Sequence, residues 1–181
     1  MKNPWLGYTI IRLGLFFGIF WGLLLLDFNP FFAAIIAAAG SGERFGATSP
    51  KALIQLGDRT LLEHAVASIS AVADQIVVTA PSGYEEQIKS LVGDDIIVVT
   101  GGATRSESIR AGLAAIKGAD FVLVHDAARC LASVDLAKRV VAALKSGDVA
   151  VIPGLAQTDT VKIVGPDSIV TSTPDRNSMR K

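Results

Sequence analysis

Ala33-Ala-Ile-Ile-Ala-Ala-Ala-Gly-Ser-Gly-Glu-Arg-Phe-Gly46, followed by Pro50-Lys51, is the stretch that decides the fold. A short apolar run with β-branched residues opens directly into a glycine-rich loop that carries an Arg and a Lys. Glycines let a backbone approach a ligand closely, and their N–H groups can face phosphate oxygens. Arg44 and Lys51 supply the charge that neutralises a triphosphate. The alternative is a plain glycine-rich turn between a strand and a helix.

From Ala33 onward, short apolar runs alternate with helical patterns. The sequence predicts strands at 33–38, 75–79, 96–100, 121–124 and 149–152. Helices are predicted over 61–69, with Leu62, Val66 and Ile69 inward, and over 84–91. Thr104-Arg-Ser-Glu107 has capping-box spacing and opens a third helix, with Ile109, Leu113 and Ile116 inward. Ser133 caps a fourth, with Leu136, Val140 and Leu144 inward. Uniformly apolar strands between amphipathic helices define an α/β fold, a mostly parallel sheet covered on both faces. Right-handed crossovers then bring the strand C-terminal ends to one edge. Gly40–Lys51, Gly101–Ser106 and His125–Arg129 all fall at such ends.

Composition removes several classes of function. Lys and Arg total 17 and so do Asp and Glu, so no excess of cations favours a nucleic-acid surface. Cys130 is the only cysteine, which rules out an intrachain disulfide and a cysteine-rich zinc site. His64 and His125 are too few for a histidine-based metal cluster, and His64 reads as a partly exposed helix residue. The loop is one residue too long for a dinucleotide fingerprint, and Val78-Thr-Ala-Pro81 offers no acid for a ribose. It also lacks the Gly-Lys-Ser/Thr ending of a Walker A loop.

Residues 1–32 form a different segment. Leu13–Leu26 carries no charge and is bounded by Arg12 and Asp27. Extended back over residues 5–26, the run reaches the roughly 20 residues that span a bilayer. The extended run takes in Arg12, which would have to snorkel, and Lys2 and Arg12 toward its front suit an N-terminus inside, with Trp5 and Tyr8 near an interface. The reading is an apolar membrane helix with a short linker; a signal peptide ranks second, since no small-x-small cleavage site follows the run.

Several side chains at the strand ends are candidates for chemistry. Asp126 has the position of a Mg²⁺ ligand, and the plainer reading is a capping or salt-bridging carboxylate. Arg129 either clamps a phosphate or pairs with a nearby acid. Gly101-Gly102 leaves room for a base, and Ser108 either offers it a hydrogen bond or is a helix-surface serine.

The motifs Ala38-Ala-Gly-Ser-Gly-Glu-Arg44, Pro50-Lys51, Gly101-Gly-Ala-Thr-Arg-Ser-Glu-Ser108, Val124-His-Asp-Ala-Ala-Arg129, Asp159-Thr160 and Asp175-Arg176 resemble, in order, those of the 2-C-methyl-D-erythritol 4-phosphate cytidylyltransferases. The likeness runs from about Ala33 to Lys181. It implies a Rossmann-like fold and a reaction of CTP with methylerythritol phosphate, in the presence of Mg²⁺, to give a CDP-alcohol and pyrophosphate. It implies that Arg44 and Lys51 are catalytic, stabilising the α-phosphate and the leaving pyrophosphate. The implied nucleotide-binding set is Ala38, Ala39, Gly40, Ser41, Gly42, Gly102, Arg105, Ser108 and Asp126, with Asp126 also the metal ligand. Arg129, Thr160 and Arg176 would hold the substrate phosphate. The segment 154–176 would be a β-arm that embraces a second subunit in a homodimer.

The resemblance leaves two departures. The family continues beyond Asp175-Arg176, so the domain 33–181 reads as incomplete at its C-terminus, and Cys130 stands where the family has proline. The segment before the first strand resembles instead the start of small bacterial membrane proteins. The expectation is a cytoplasmic catalytic domain tethered to the inner face of the membrane. The alternatives are transfer to another polyol phosphate such as ribitol 5-phosphate, or an inactive truncated or fused fragment.

Overall fold

The structure, a computed structural model, describes residues 29–40 and 49–181. Its contacts divide the chain into Met1–Pro30 and Phe31–Lys181. The apolar run at 13–26 lies outside the described residues, as do Ser41, Gly42 and Arg44. Among the described residues no helix is long and apolar enough to cross a membrane.

Four strands build the central sheet of the second unit. They are β1 (Phe32–Ala37), β4 (Gln75–Ala80), β5 (Ile97–Thr100) and β6 (Phe121–Asp126), in the order β5-β4-β1-β6. Every pairing is parallel. A small antiparallel pair, β2 (Gln55–Leu56) and β3 (Arg59–Thr60), precedes the first described helix. The α-helices among the described residues are α1 (Leu61–Ile69), α2 (Glu85–Val92), α3 (Arg105–Ala115) and α4 (Val134–Lys145). The predicted helices match these to within a residue or so at their starts.

Side-chain alternation along β1 sorts the core into two layers. Phe32, Ala34 and Ile36 join Leu62, Ala65 and Ile69 of α1 and Leu144 of α4 in one buried cluster. Phe32 stacks on Phe121 across the strand pair, with ring centroids 5.2 Å apart. On the other face, α3 lies against Ile35. Gly112 permits that approach, because a Cβ there would come within 2.7 Å of Ile35 Cγ2. Helices thus cover both faces, as expected.

The contact face of α3 differs from expectation. Ser108 and Gly112 are its buried residues, and Leu113 is exposed. A helix that must sit close to a sheet does so through small residues, and the apolar period then reports the wrong face.

The predicted strand at 149–152 does not form. Val149 is 97% and Ile152 91% exposed, and the segment pairs with no described strand. Residues of high strand propensity become a strand only when a ladder accepts their backbone groups. The outer edge of β6 is the nearest candidate, and a cleft of about 680 Å³ lies beside it. Leu136, Val140 and Leu144 of α4 line that cleft, together with Ile109, Val124 and Val149. It is an apolar space around the sheet edge, and it meets the strand-end site at Arg105 and His125.

The segment 154–176, expected as an arm, carries a hairpin. Ile163–Val164 (β7) and Val170–Ser172 (β8) pair as an antiparallel hairpin. Ser168 closes the turn with φ 62°, and its N–H donates to the Gly165 carbonyl at 3.0 Å. Leu155 and Lys181 exchange two backbone hydrogen bonds of 2.8 and 2.9 Å at the base of the arm. The hairpin strands are exposed on every residue.

Candidate active site at the strand ends

The C-terminal ends of β1, β5 and β6 converge, and the loops that leave them touch. Ala38 extends the β1 register, its N–H donating to the Thr79 carbonyl at 3.1 Å. Ala38 is buried, Ala39 half-buried and Gly40 exposed, so the chain emerges from the sheet along these three residues. A Cβ at Gly101 would lie 2.5 Å from Ala39 Cβ and 2.9 Å from Ser108 Oγ. A side chain at Gly102 would collide with Glu107. The sequence reading gave these glycines the role of leaving room for a base. The structure adds a packing role, since they let the third strand's loop close onto the first.

Ser108 fixes that loop. Only 3% exposed, its hydroxyl accepts from the Gly102 N–H at 3.1 Å and donates to the Thr104 carbonyl at 3.0 Å. The helix-surface reading of Ser108 therefore fails. Its hydroxyl is taken up by these local partners and sets the shape of the Gly102 backbone. Thr104 and Glu107 form the expected capping box, which makes the first turn of α3 a rigid platform.

Asp126 ends β6, in register with Ala37 of β1. Its carboxylate is held between two arginines. Arg105 Nε donates to Oδ1 at 3.0 Å, and Arg129 Nε to Oδ2 at 3.4 Å. Asp126, expected as a Mg²⁺ ligand with salt-bridging as the plainer alternative, makes the salt bridge, and Arg105, expected on the nucleotide, contacts it here. Sequence reading missed this pairing because 21 residues separate the partners. Among the described residues no group of three His, Cys, Asp or Glu side chains could cage a metal. A single half-exposed carboxylate suits Mg²⁺ in the way that cation prefers, with one protein carboxylate and the remaining ligands from phosphates and water. Here, though, each oxygen of Asp126 faces a guanidinium, so the protein groups alone leave the cluster with a net positive charge and do not make a cation site.

His125 was read only as part of its motif. It shares a register position with Ile36, and its buried Nε2 has no hydrogen-bond partner among the described residues. Burial pushes its pKa below the ordinary histidine value; the Asp126 carboxylate opposes that and Arg129 adds to it. Thr79 Oγ1 is the other buried polar atom without a partner among the described residues. His64, as expected, sits half-buried on α1, with Nε2 donating to the Leu56 carbonyl at 2.9 Å.

Lys51 begins a single 3-10 turn after Pro50 and is half-buried. Thr160 and Arg176 lie in the arm, where Arg176 Nη1 donates to the Thr158 carbonyl at 3.1 Å. Among the described residues no hydrogen bond or ion pair links this pair to the strand-end group. The structure therefore brings together Ala38, Ala39, Gly102, Ser108, Arg105, Asp126 and Arg129, while Arg176 bonds Thr158 in the arm and Thr160 lies two residues further along.

A parallel α/β sheet whose first strand exits through Ala38–Gly40 beside the Gly101–Gly102 loop and an arginine-collared carboxylate is a fold of the doubly wound class, in which ligands sit at the strand C-terminal ends. The comparisons with known proteins are more specific. The sequence model of the family IspD, 2-C-methyl-D-erythritol 4-phosphate cytidylyltransferase, matches residues 32–181, and the chain belongs to this family. A curated relative from Rhodococcus jostii (strain RHA1), a 2-C-methyl-D-erythritol 4-phosphate cytidylyltransferase, is 45% identical over 149 residues. That match takes in 81% of this chain and 66% of the relative, just under two thirds of its length. Among solved structures, the 4-diphosphocytidyl-2C-methyl-D-erythritol synthase of Anaerococcus prevotii DSM 20548 superposes with TM-score 0.73 at 34% identity, covering 84% of this chain and 68% of the other. The 2-C-methyl-D-erythritol 4-phosphate cytidylyltransferase of Thermus thermophilus gives TM-score 0.62 at 32% identity, covering 82% and 66%.

Proposed function

We propose that the domain transfers a cytidylyl group from CTP to 2-C-methyl-D-erythritol 4-phosphate, releasing pyrophosphate. Family membership supports this reading. The observation that carries it to particular residues is the convergence of Ala38–Gly40, Gly101–Ser108 and Asp126–Arg129 at one sheet edge.

The chemistry needs no nucleophilic side chain. An oxygen of the acceptor phosphate attacks the α-phosphorus of CTP in line. A new P–O bond forms, the bond from the α-phosphorus to the bridging oxygen of the β-phosphate breaks, and pyrophosphate leaves with that electron pair. The protein supplies position and charge. In this reading Arg44 and Lys51 stabilise charge on the α-phosphate and on the leaving group. Backbone groups of Ala38, Ala39 and Gly102, the last held by Ser108, select the base. The loop residues Gly40, Ser41 and Gly42 wrap the phosphates. Arg129, Thr160 and Arg176 grip the acceptor phosphate.

The exposed hairpin at 163–172 carries Ile163, Val164, Ile169 and Val170 on its surface, a composition that suits a contact with a second subunit. The reading makes the active form a homodimer whose arms complete each other's sites. It also places the domain in the cytoplasm, tethered to the membrane by residues 5–26.

The acceptor is tested by offering methylerythritol phosphate and ribitol 5-phosphate side by side with CTP and Mg²⁺. The expected outcome is pyrophosphate release at least tenfold faster with methylerythritol phosphate. Faster release with ribitol 5-phosphate would replace the proposed acceptor with the other polyol phosphate.

A further inference from the structure

Both arginines on Asp126 are held by the same atom type. Arg105 Nε donates to Oδ1 at 3.0 Å and Arg129 Nε to Oδ2 at 3.4 Å. A guanidinium carries further donors on its Nη groups. Among the described residues the Nη groups of neither arginine make a hydrogen bond. The two side chains are 60% and 78% exposed. Each arginine is thus fixed at Nε and open beyond it.

The charge of the cluster has one sign. Two guanidiniums and one carboxylate sum to a single positive charge. Glu107, the acid in the first turn of α3, is folded back onto the Thr104 N–H at 2.9 Å. α3 opens at Arg105, so the positive end of its dipole falls at the same place. The turn Lys51–Leu53 packs against the turn Ala127–Arg129, which sets a third basic residue in the neighbouring turn. Such a lining repels a cation and attracts an anion. It disagrees with the expectation that Asp126 is a metal ligand. A carboxylate between two guanidiniums has a different use. A long side chain loses rotamer freedom when it grips a ligand, and an arginine already held at Nε has less of it to lose.

We propose that Asp126 is a positioning residue rather than a cation ligand, and that it holds Arg105 and Arg129 as one receptor for a doubly charged phosphate group, a role that rests on the reading of this sheet edge as a phosphate-handling site. The planar fork of each guanidinium matches the spacing of phosphate oxygens. Two phosphates have the required chemistry, the terminal phosphate of CTP and the monoester of the acceptor.

The test is calorimetry on the full chain in EDTA. One probe is CTP, and the other is methylerythritol phosphate added to protein saturated with CMP. The wild type is expected to bind without a divalent cation. R105Q and R129Q should each weaken the same probe by about tenfold, the loss of a charge-assisted hydrogen bond. The probe that responds identifies which phosphate the receptor holds. Variants that act on different probes, or on neither, overturn the single receptor. Asp126→Asn makes the cluster more positive, so charge alone would tighten the phosphate. Loss of the anchor should instead weaken it several-fold, and equal or tighter binding overturns the positioning role. Binding that appears only with Mg²⁺ overturns the proposal alone. A wild type that binds neither probe even with Mg²⁺ removes the phosphate reading as well. Mn²⁺ alone gives a readout in the unmutated protein. It should leave the Nε–Hε resonances of Arg105 and Arg129 unbroadened. Selective broadening of both at stoichiometric Mn²⁺ would make Asp126 a cation ligand and overturn the proposal.

Discussion

His125 sits beside Asp126 with a buried Nε2 that has no hydrogen-bond partner among the described residues. Its pKa in the fold lies below the ordinary value of 6.5, chiefly because burial disfavours the cation. The unfolded chain therefore binds the proton more readily than the native one. Stability from this residue is intact above pH 6.5 and is lost as the pH falls from there through the lowered native value. Each unit of depression corresponds to about 1.4 kcal/mol. Urea unfolding of the wild type at pH 7.5 and 5 should show this loss, and His125→Phe should show a smaller one. Equal losses would remove His125 as the cause. Other features at this scale were unequally legible. Asp126 stood out as a carboxylate at a strand end. Its collar did not, because Arg105 reaches it only after a strand and a helix have packed. Ser108 was visible as a candidate, but its burial depends on how close α3 comes to the sheet, which no local pattern encodes.

Among the elements, α3 shows where periodicity misleads. Its start was readable from Thr104-x-x-Glu107, and the same signature at Thr60-x-x-Glu63 opens α1 with a complete capping box that sequence reading passed over. Its inward face was not readable, because Gly112 rather than Leu113 meets Ile35. Gly112→Leu should overpack this contact and lower unfolding free energy by about 1–3 kcal/mol, read from the denaturation midpoint at constant m. A neutral substitution would mean that α3 can lift from the sheet without loss. The strands at β1, β4, β5 and β6 were legible because apolar residues with short turns leave few alternatives. Val149–Ile152 had the same composition and failed to become a strand, because a ladder depends on a partner as well as on propensity.

For the whole molecule, the parallel sheet and its convergent loops followed from the order of elements and the right-handed crossover rule. The β-arm over 154–176 was expected through the resemblance alone, and β7 with β8 supplies a hairpin there, while any relation to a second subunit is a matter of surfaces that one sequence does not display. The unpaired edge of β6 and the apolar cleft beside it mark the part of the sheet with least cover among the described residues. The central claim is that the edge gathering Ala38, Gly102, Asp126 and Arg129 serves cytidylyl transfer. Pyrophosphate release by the full chain, solubilised in detergent with CTP, Mg²⁺ and methylerythritol phosphate, tests it most directly. Release in the wild type that falls at least 100-fold in Arg44→Ala is the result expected if this cation stabilises the transition state by about 3 kcal/mol. A folded, CTP-binding wild type that releases no pyrophosphate, or an Arg44→Ala variant as fast as the wild type, would contradict it.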